Sequence, residues 1–154
     1  MFTFQTETRL DLDQRGALFF FACAAPRKLG AASFYLCVAR DAADAVLDGA
    51  KSYRLRVPPN VPARQFWAVT VYDLDTAAFI RESPKTEVNS YQDTKKNSDA
   101  SVDIYFGPKA PAGRESNWIY TEPDKQWVAF FRFYGPEPAI HEKTWVLNDI
   151  EESR

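Results

Sequence analysis

After Gly30, apolar and polar residues alternate at every second position through most of the chain, a period that predicts strands rather than helices. From Trp127 to Tyr134 one face carries Trp127, Ala129, Phe131 and Phe133, and the other carries Val128, Phe130, Arg132 and Tyr134. Both faces are largely apolar, as in a strand at the middle of a sheet with cover on each side, and Gly135-Pro136 ends it. Gln65 to Asp73 is a second strand of this kind, with Trp67, Val69 and Val71 against Phe66, Ala68 and Tyr72. Lys51 to Val57 alternates more cleanly: Tyr53, Leu55 and Val57 toward a core, Ser52, Arg54 and Arg56 toward water. Ser33 to Ala39, Ala78 to Arg81 and Ser101 to Phe106 are further predicted strands. Ile119 to Thr121 is expected to form a hairpin with the aromatic strand across the turn at Glu122-Pro123-Asp124-Lys125.

Before Gly30 the period changes. Acidic residues from Asp11, an apolar body from Ala17 to Cys23, and a stop at Pro26 and Gly30 predict one helix. Its adjacent Phe19, Phe20 and Phe21 cannot all face one way at about 100° per residue, so a homo-oligomer contact or an N-terminal partner domain is expected to cover them. The chain thus divides into an N-terminal arm and helix, residues 1–30, and a β domain, residues 31–154. The expected fold class is mainly β: an antiparallel β-sandwich or jelly-roll-like sheet pair with one N-terminal helix. Pro58-Pro59-Asn60-Val61-Pro62 is a stiff, extended link between strands. Glu82 to Asp99 is polar and too long for a simple turn, and loops of that length are usually functional or disordered.

Composition narrows the function classes. The 154 residues suffice for one domain without disulfide staples, and an aromatic fraction of 15% agrees with β structure. A net charge of −2, with no basic cluster, gives no electrostatic footprint for nucleic acid. The one long apolar run, Ala17 to Ala25, is about half of the roughly 20 residues a membrane-spanning helix needs. Glu7, Asp11 and Asp13 before it are unlike the basic start of a signal peptide, so no compartment is assigned between cytoplasm and periplasm. Cys23 and Cys37 fit neither a redox nor a zinc spacing, and the sequence leaves open whether they are bridged or buried thiols.

Candidate chemistry is sparse. The sole histidine, His141, sits in a Pro-bounded segment with Glu137 and Glu142, and no GxSxG-type nucleophile motif is present. A catalytic triad, a metal centre and a cofactor are therefore not expected. Asp41, Asp44 and Asp48 lack the spacing, central glycine and closing glutamate of a calcium loop and are expected in a solvated connection. Arg132 is different, because a cation between Phe131 and Phe133 on a buried strand must be paired or be costly. Asp73 or Glu82 would make it a core ion pair. Alternatively Arg132, with Tyr134, Asn117 and Trp118, lies at a pocket mouth and holds a carboxylate or sugar-like ligand. For Asn117-Trp118 the structural alternative is an amide that closes a turn beside an indole that fills the core.

Several segments together carry a family resemblance. Val61-Pro62-Ala63-Arg64-Gln65-Phe66-Trp67-Ala68-Val69-Thr70-Val71-Tyr72-Asp73, Asp103-Ile104-Tyr105-Phe106-Gly107-Pro108, Glu115-Ser116-Asn117-Trp118-Ile119, Phe131-Arg132-Phe133-Tyr134-Gly135-Pro136 and Lys143-Thr144-Trp145 resemble the C-terminal domain of unknown function 1214. In many bacterial proteins that domain follows a second one, numbered 1254. The resemblance runs from about Ser33 to Glu151, implies a β-sandwich and brings no settled activity. Three expectations follow: a non-catalytic module that binds a ligand or protein, an enzyme domain completed by an N-terminal half, or an assembly subunit using Phe19 to Phe21.

Overall fold

The structure is a computed structural model and describes residues 32–153. The expected helix from Asp11, its three phenylalanines and Cys23 lie outside the described residues. Within them the protein is mainly β, with eight strands in two four-stranded sheets, one α-helical turn, α1 (Pro138–His141), and one 3-10 turn, Glu115–Asn117. The strands are β1 (Ser33–Val38), β2 (Tyr53–Val57), β3 (Ala63–Asp73), β4 (Glu87–Asn89), β5 (Val102–Gly107), β6 (Trp118–Tyr120), β7 (Trp127–Pro136) and β8 (Glu151–Glu152).

The first sheet runs β1-β7-β3-β4, all antiparallel, and the two strands predicted to be apolar on both faces are its adjacent central pair. The second sheet runs β6-β5-β2-β8, with β6 parallel to β5. One core takes residues from both sheets. Trp67, Val69, Val71, Phe131 and Phe133 come from the first, and Tyr53, Leu55, Ile104, Phe106 and Ile119 from the second. Trp127 ties the two together: its indole stacks on Phe106 with ring centroids 4.9 Å apart and meets Tyr53 edge-on at 5.6 Å.

Three expectations are corrected. Ile119 to Thr121 does not form a hairpin with the aromatic strand, because β1 and β3 already occupy both edges of β7 and leave it no free ladder. The segment instead pairs with β5, and the chain crosses between sheets over residues 121–126. This crossing is pinned where the Thr121 hydroxyl donates to the Gly49 carbonyl at 3.0 Å and the Gly49 N–H donates to the Lys125 carbonyl at 2.8 Å. A Cβ at Gly49 would stand 1.9 Å from the Glu122 carbonyl oxygen, so only glycine allows this approach.

Ala78 to Arg81 is irregular rather than a strand, and follows a turn at residues 73–77. The Asp73 carboxylate accepts hydrogen bonds from the Thr76 N–H and hydroxyl, Ala77 N–H bonds back to the Asp73 carbonyl, and the backbone reverses at once. Third, the long polar stretch 82–99 contains β4, anchored by fully buried Val88. A three-residue strand with one inward side chain is too short to show a period.

The ending of β7 is as predicted, with more detail. Gly135 has φ +66°, and Ala63↔Pro136 and Phe66↔Tyr134 enclose a register shift, so Arg64 and Gln65 oppose a single residue in a bulge. Asp41 caps its own loop, its carboxylate accepting from the N–H groups of Ala43 and Ala45 at 2.9 Å each. Trp145 anchors the C-terminal segment, its indole N–H donating to the Pro59 carbonyl at 3.1 Å and its ring edge-on to Phe133 at 5.7 Å.

Candidate functional site

Because side chains alternate along a strand, the register fixes the outward face of the first sheet as rows of neighbours. One row holds Tyr35, Arg132, Ala68 and Asn89; the next holds Cys37, Phe130, Thr70 and Glu87; on the other side lie Ser33, Tyr134 and Phe66. Arg132 and Tyr134 are thus brought together, as the spacing of two residues requires.

The guanidinium of Arg132 extends along the sheet, Nη1 donating to the Thr70 hydroxyl and Nη2 to the Tyr72 hydroxyl. Its central carbon lies 5.4 Å from the Tyr72 ring centroid, 5.6 Å from Tyr35 and 5.8 Å from Phe130, within cation–π range of all three. Among the described residues no carboxylate comes within ion-pairing distance of it. The Asp73 partnership expected from sequence is therefore corrected by the register: Asp73 pairs with Trp127, a residue of the core face, and so stands on the opposite side of the sheet from Arg132. Its carboxylate is 3.6 Å from Lys125 Nζ. Burial works to raise the Asp73 pKa, but the Thr76 hydrogen bonds and Lys125 outweigh it and hold the group below the ordinary carboxylate value. Glu82 is exposed in the loop before β4.

Beside Arg132 stands a stack of rings. Phe66 and Tyr134 lie 4.1 Å apart and within 10° of parallel, and Tyr91, 73% exposed, packs on Phe66 at 5.0 Å. Burial pushes the Tyr134 hydroxyl pKa up, and the charge of Arg132 pulls it partly back. At the β4 edge the Asn89 amide donates to the Glu87 carboxylate at 2.7 Å.

Asn117 and Trp118 are not part of this face. Asn117, fully buried, clamps the loop before β5: its amide donates to the Lys95 and Asp103 carbonyls at 2.8 Å each, and its oxygen accepts from the Lys95 N–H at 2.8 Å. Trp118 belongs to β6 in the second sheet, half-buried, with its indole N–H on the Gly107 carbonyl at 2.9 Å. His141 is exposed and set edge-on to Phe34 at 5.3 Å. No group of three or more His, Cys, Asp or Glu among the described residues is placed to hold a metal ion. Tyr35, Thr70, Tyr72 and Glu87 were missed from sequence. Period-two counting does put Tyr72 with Phe66 and Thr70, but only cross-strand register shows that this face is also Arg132's.

Fold and face define a mainly β domain whose first sheet, on the side away from the shared core, carries half-buried Arg132 among aromatic rings, with Ala68, Thr70, Val128 and Phe130 there buried. The chain belongs to the family described as protein of unknown function DUF1214, whose profile matches residues 32–138. No curated protein matches the sequence. Among solved structures, the VPA0106 protein from Vibrio parahaemolyticus is similar with a TM-score of 0.68 and 24% identity, over 79% of this chain and 31% of that one. A putative uncharacterized protein from Burkholderia cenocepacia aligns with a TM-score of 0.46 and 14% identity, over 98% of this chain and 44% of that one. This chain therefore spans less than half the length of either.

Proposed function

We propose that this chain is a jelly-roll-like β-sandwich binding domain whose recognition surface is the outward face of the first sheet, where Arg132 takes the carboxylate of a small ligand. The observation that carries this reading is a half-buried guanidinium with hydroxyl and aromatic neighbours and no carboxylate of its own among the described residues. Two of its N–H groups are engaged, a guanidinium carries more than two, and its planar fork matches a carboxylate. Neutral partners orient the cation without cancelling its charge, which suits a site that must accept an anion from solution. Glu87 and Asn89 at the sheet edge add an acceptor and a donor suited to hydroxyl groups, and the Tyr134–Phe66 stack adds a flat apolar wall.

The test is a titration of ¹⁵N-labelled protein with sodium acetate, followed by NMR against a sodium chloride control. Saturable shifts at the amides of Tyr35, Thr70 and Tyr72, lost in Arg132→Gln, are expected. Shifts no larger than those from chloride, or shifts that persist in Arg132→Gln, would overturn the proposal. A second reading, a domain whose site is completed by another part of a longer protein, is favoured by the small share of the Vibrio structure that this chain covers. In that case acetate binding would survive while turnover required the added part.

A further inference from the structure

At one end the outward face of the first sheet is both apolar and covered. Ala68, Thr70, Val128 and Phe130 point away from the core that the two sheets share, yet they are only 1–6% exposed. An antiparallel sheet with water on its outer side carries polar residues there, and a valine and a phenylalanine standing up from it would keep much of their surface open. The second sheet cannot supply the cover, because it packs on the opposite side, and α1 sits with His141 against Phe34, a core-side residue paired with Phe133. Phe79, stacked on Tyr72 at 4.9 Å, reaches over one margin but is itself 55% exposed. Cys37, Tyr72 and Phe130 each have a further interaction partner. Arg132 and Tyr134 are half-buried and lie at the border of the covered rows.

We infer that this face is the docking surface for the chain's own apolar run from Ala17 to Ala25, laid across Ala68, Thr70, Val128 and Phe130. The inference goes beyond the ligand reading of Arg132 and does not depend on it. Residues 1–31 join the described part of the chain just before β1, the edge strand of this same sheet. β1 begins at Ser33, opposite Tyr134, and Val128 lies about 20 Å from there by strand geometry. Residues 26–32 span about 23 Å when extended, so the run reaches Val128 without leaving the sheet. As a helix the run from Ala17 to Ala25 extends about 14 Å, enough to cross β1, β7 and β3 at about 4.8 Å spacing. Phe19, Phe20 and Phe21 would fan through about 200°, so two of them can meet the sheet together. A segment tethered to β1 meets this face at a high effective concentration, an advantage that a second copy of the chain lacks.

The test is nuclear Overhauser spectroscopy on the full chain with ¹³C-labelled methyl groups. Contacts from the rings of Phe19, Phe20 or Phe21 to the methyls of Val128 and Thr70 are expected. A sample mixing labelled and unlabelled chains separates contacts within one molecule from contacts between two. Contacts seen only between molecules, or none at all, would overturn the inference. The combined variant Phe19→Ala, Phe20→Ala, Phe21→Ala should raise the fluorescence of a dye for apolar surface severalfold. It should also shift the amides of Thr70, Val128 and Phe130, while those of Arg54 and Tyr105 in the second sheet stay in place as the sign of an intact fold. Dye fluorescence and first-sheet amides unchanged from wild type would count equally against the cover. If that variant fails to fold, the wild-type methyl contacts decide alone. The acetate titration reports on Arg132 separately, so the two readings fail independently.

Discussion

Arg132 shows what a single residue discloses in sequence and what it withholds. Alternation along one strand identified its companions on that strand, Val128, Phe130 and Tyr134, and they are the ones observed. Alternation says nothing about which face of the neighbouring strand meets them. That depends on register, and the pairing of Asp73 with Trp127 sends the nearest acid of β3 to the core side. The energetic expectation changes accordingly. Removing one member of a buried ion pair would cost about 3–5 kcal/mol, whereas here the groups left behind are two neutral hydroxyls, that of Thr70, a residue 1% exposed, and that of half-buried Tyr72. Arg132→Met should therefore cost about 1–3 kcal/mol in urea denaturation, the range for stranding a buried neutral hydrogen-bonding group. The double variant with Thr70→Val should recover part of that loss, because the more deeply buried of the two acceptors is then apolar. A single-variant loss above that range, unrelieved by Thr70→Val, would show that the cation has a charged partner after all.

Among the elements, long strands were legible and short ones were not. β3 and β7 carry enough period-two signal to define themselves, while β4, three residues long, was hidden in a polar loop by its length alone. The false hairpin arose from the opposite cause: the local turn signal after Thr121 is real, but the edges of β7 were already taken. The loop that crosses to β5 holds the clearest electrostatic feature. Asp99 accepts from the hydroxyl and N–H of Ser101 at 2.6 and 3.1 Å and pairs with Arg56 at 2.6 Å. These contacts, led by the Ser101 hydroxyl, lower the Asp99 pKa from 3.8 to about 2. Since the folded-state value lies below the ordinary one, the stabilisation is fully present above pH 3.8 and is lost as the pH falls through about 2. Asp99→Asn should flatten the stability profile across that window and leave its slope near neutrality unchanged, as measured by thermal melts from pH 2 to pH 7. An unchanged acid limb would mean that neither the Ser101 hydrogen bonds nor Arg56 holds the exposed Asp99 carboxylate in solution.

At the scale of the whole molecule, two sheets draw on one core, and Trp127 is the side chain that touches both. Trp127→Ala should cost about 3–5 kcal/mol, as for other large aromatics removed from a packed interior. Far-UV and near-UV circular dichroism should remain coincident through the transition, because neither sheet retains a separate core. Two resolved transitions would show that the sheets are stable independently. The pairing of β1 with β7 has a further consequence, for the order in which the protein is made. A ribosome releases β1 early, but the strand that it pairs with emerges only after nearly all of the other strands, from β2 through β6, have been synthesised. Until then Phe34, Leu36 and Val38 have no central strand to shelter against, and the first sheet cannot close. Such long-range pairing folds slowly and leaves an adhesive strand waiting, so the yield of folded protein should fall as the expression rate rises, as measured by the soluble fraction at graded induction.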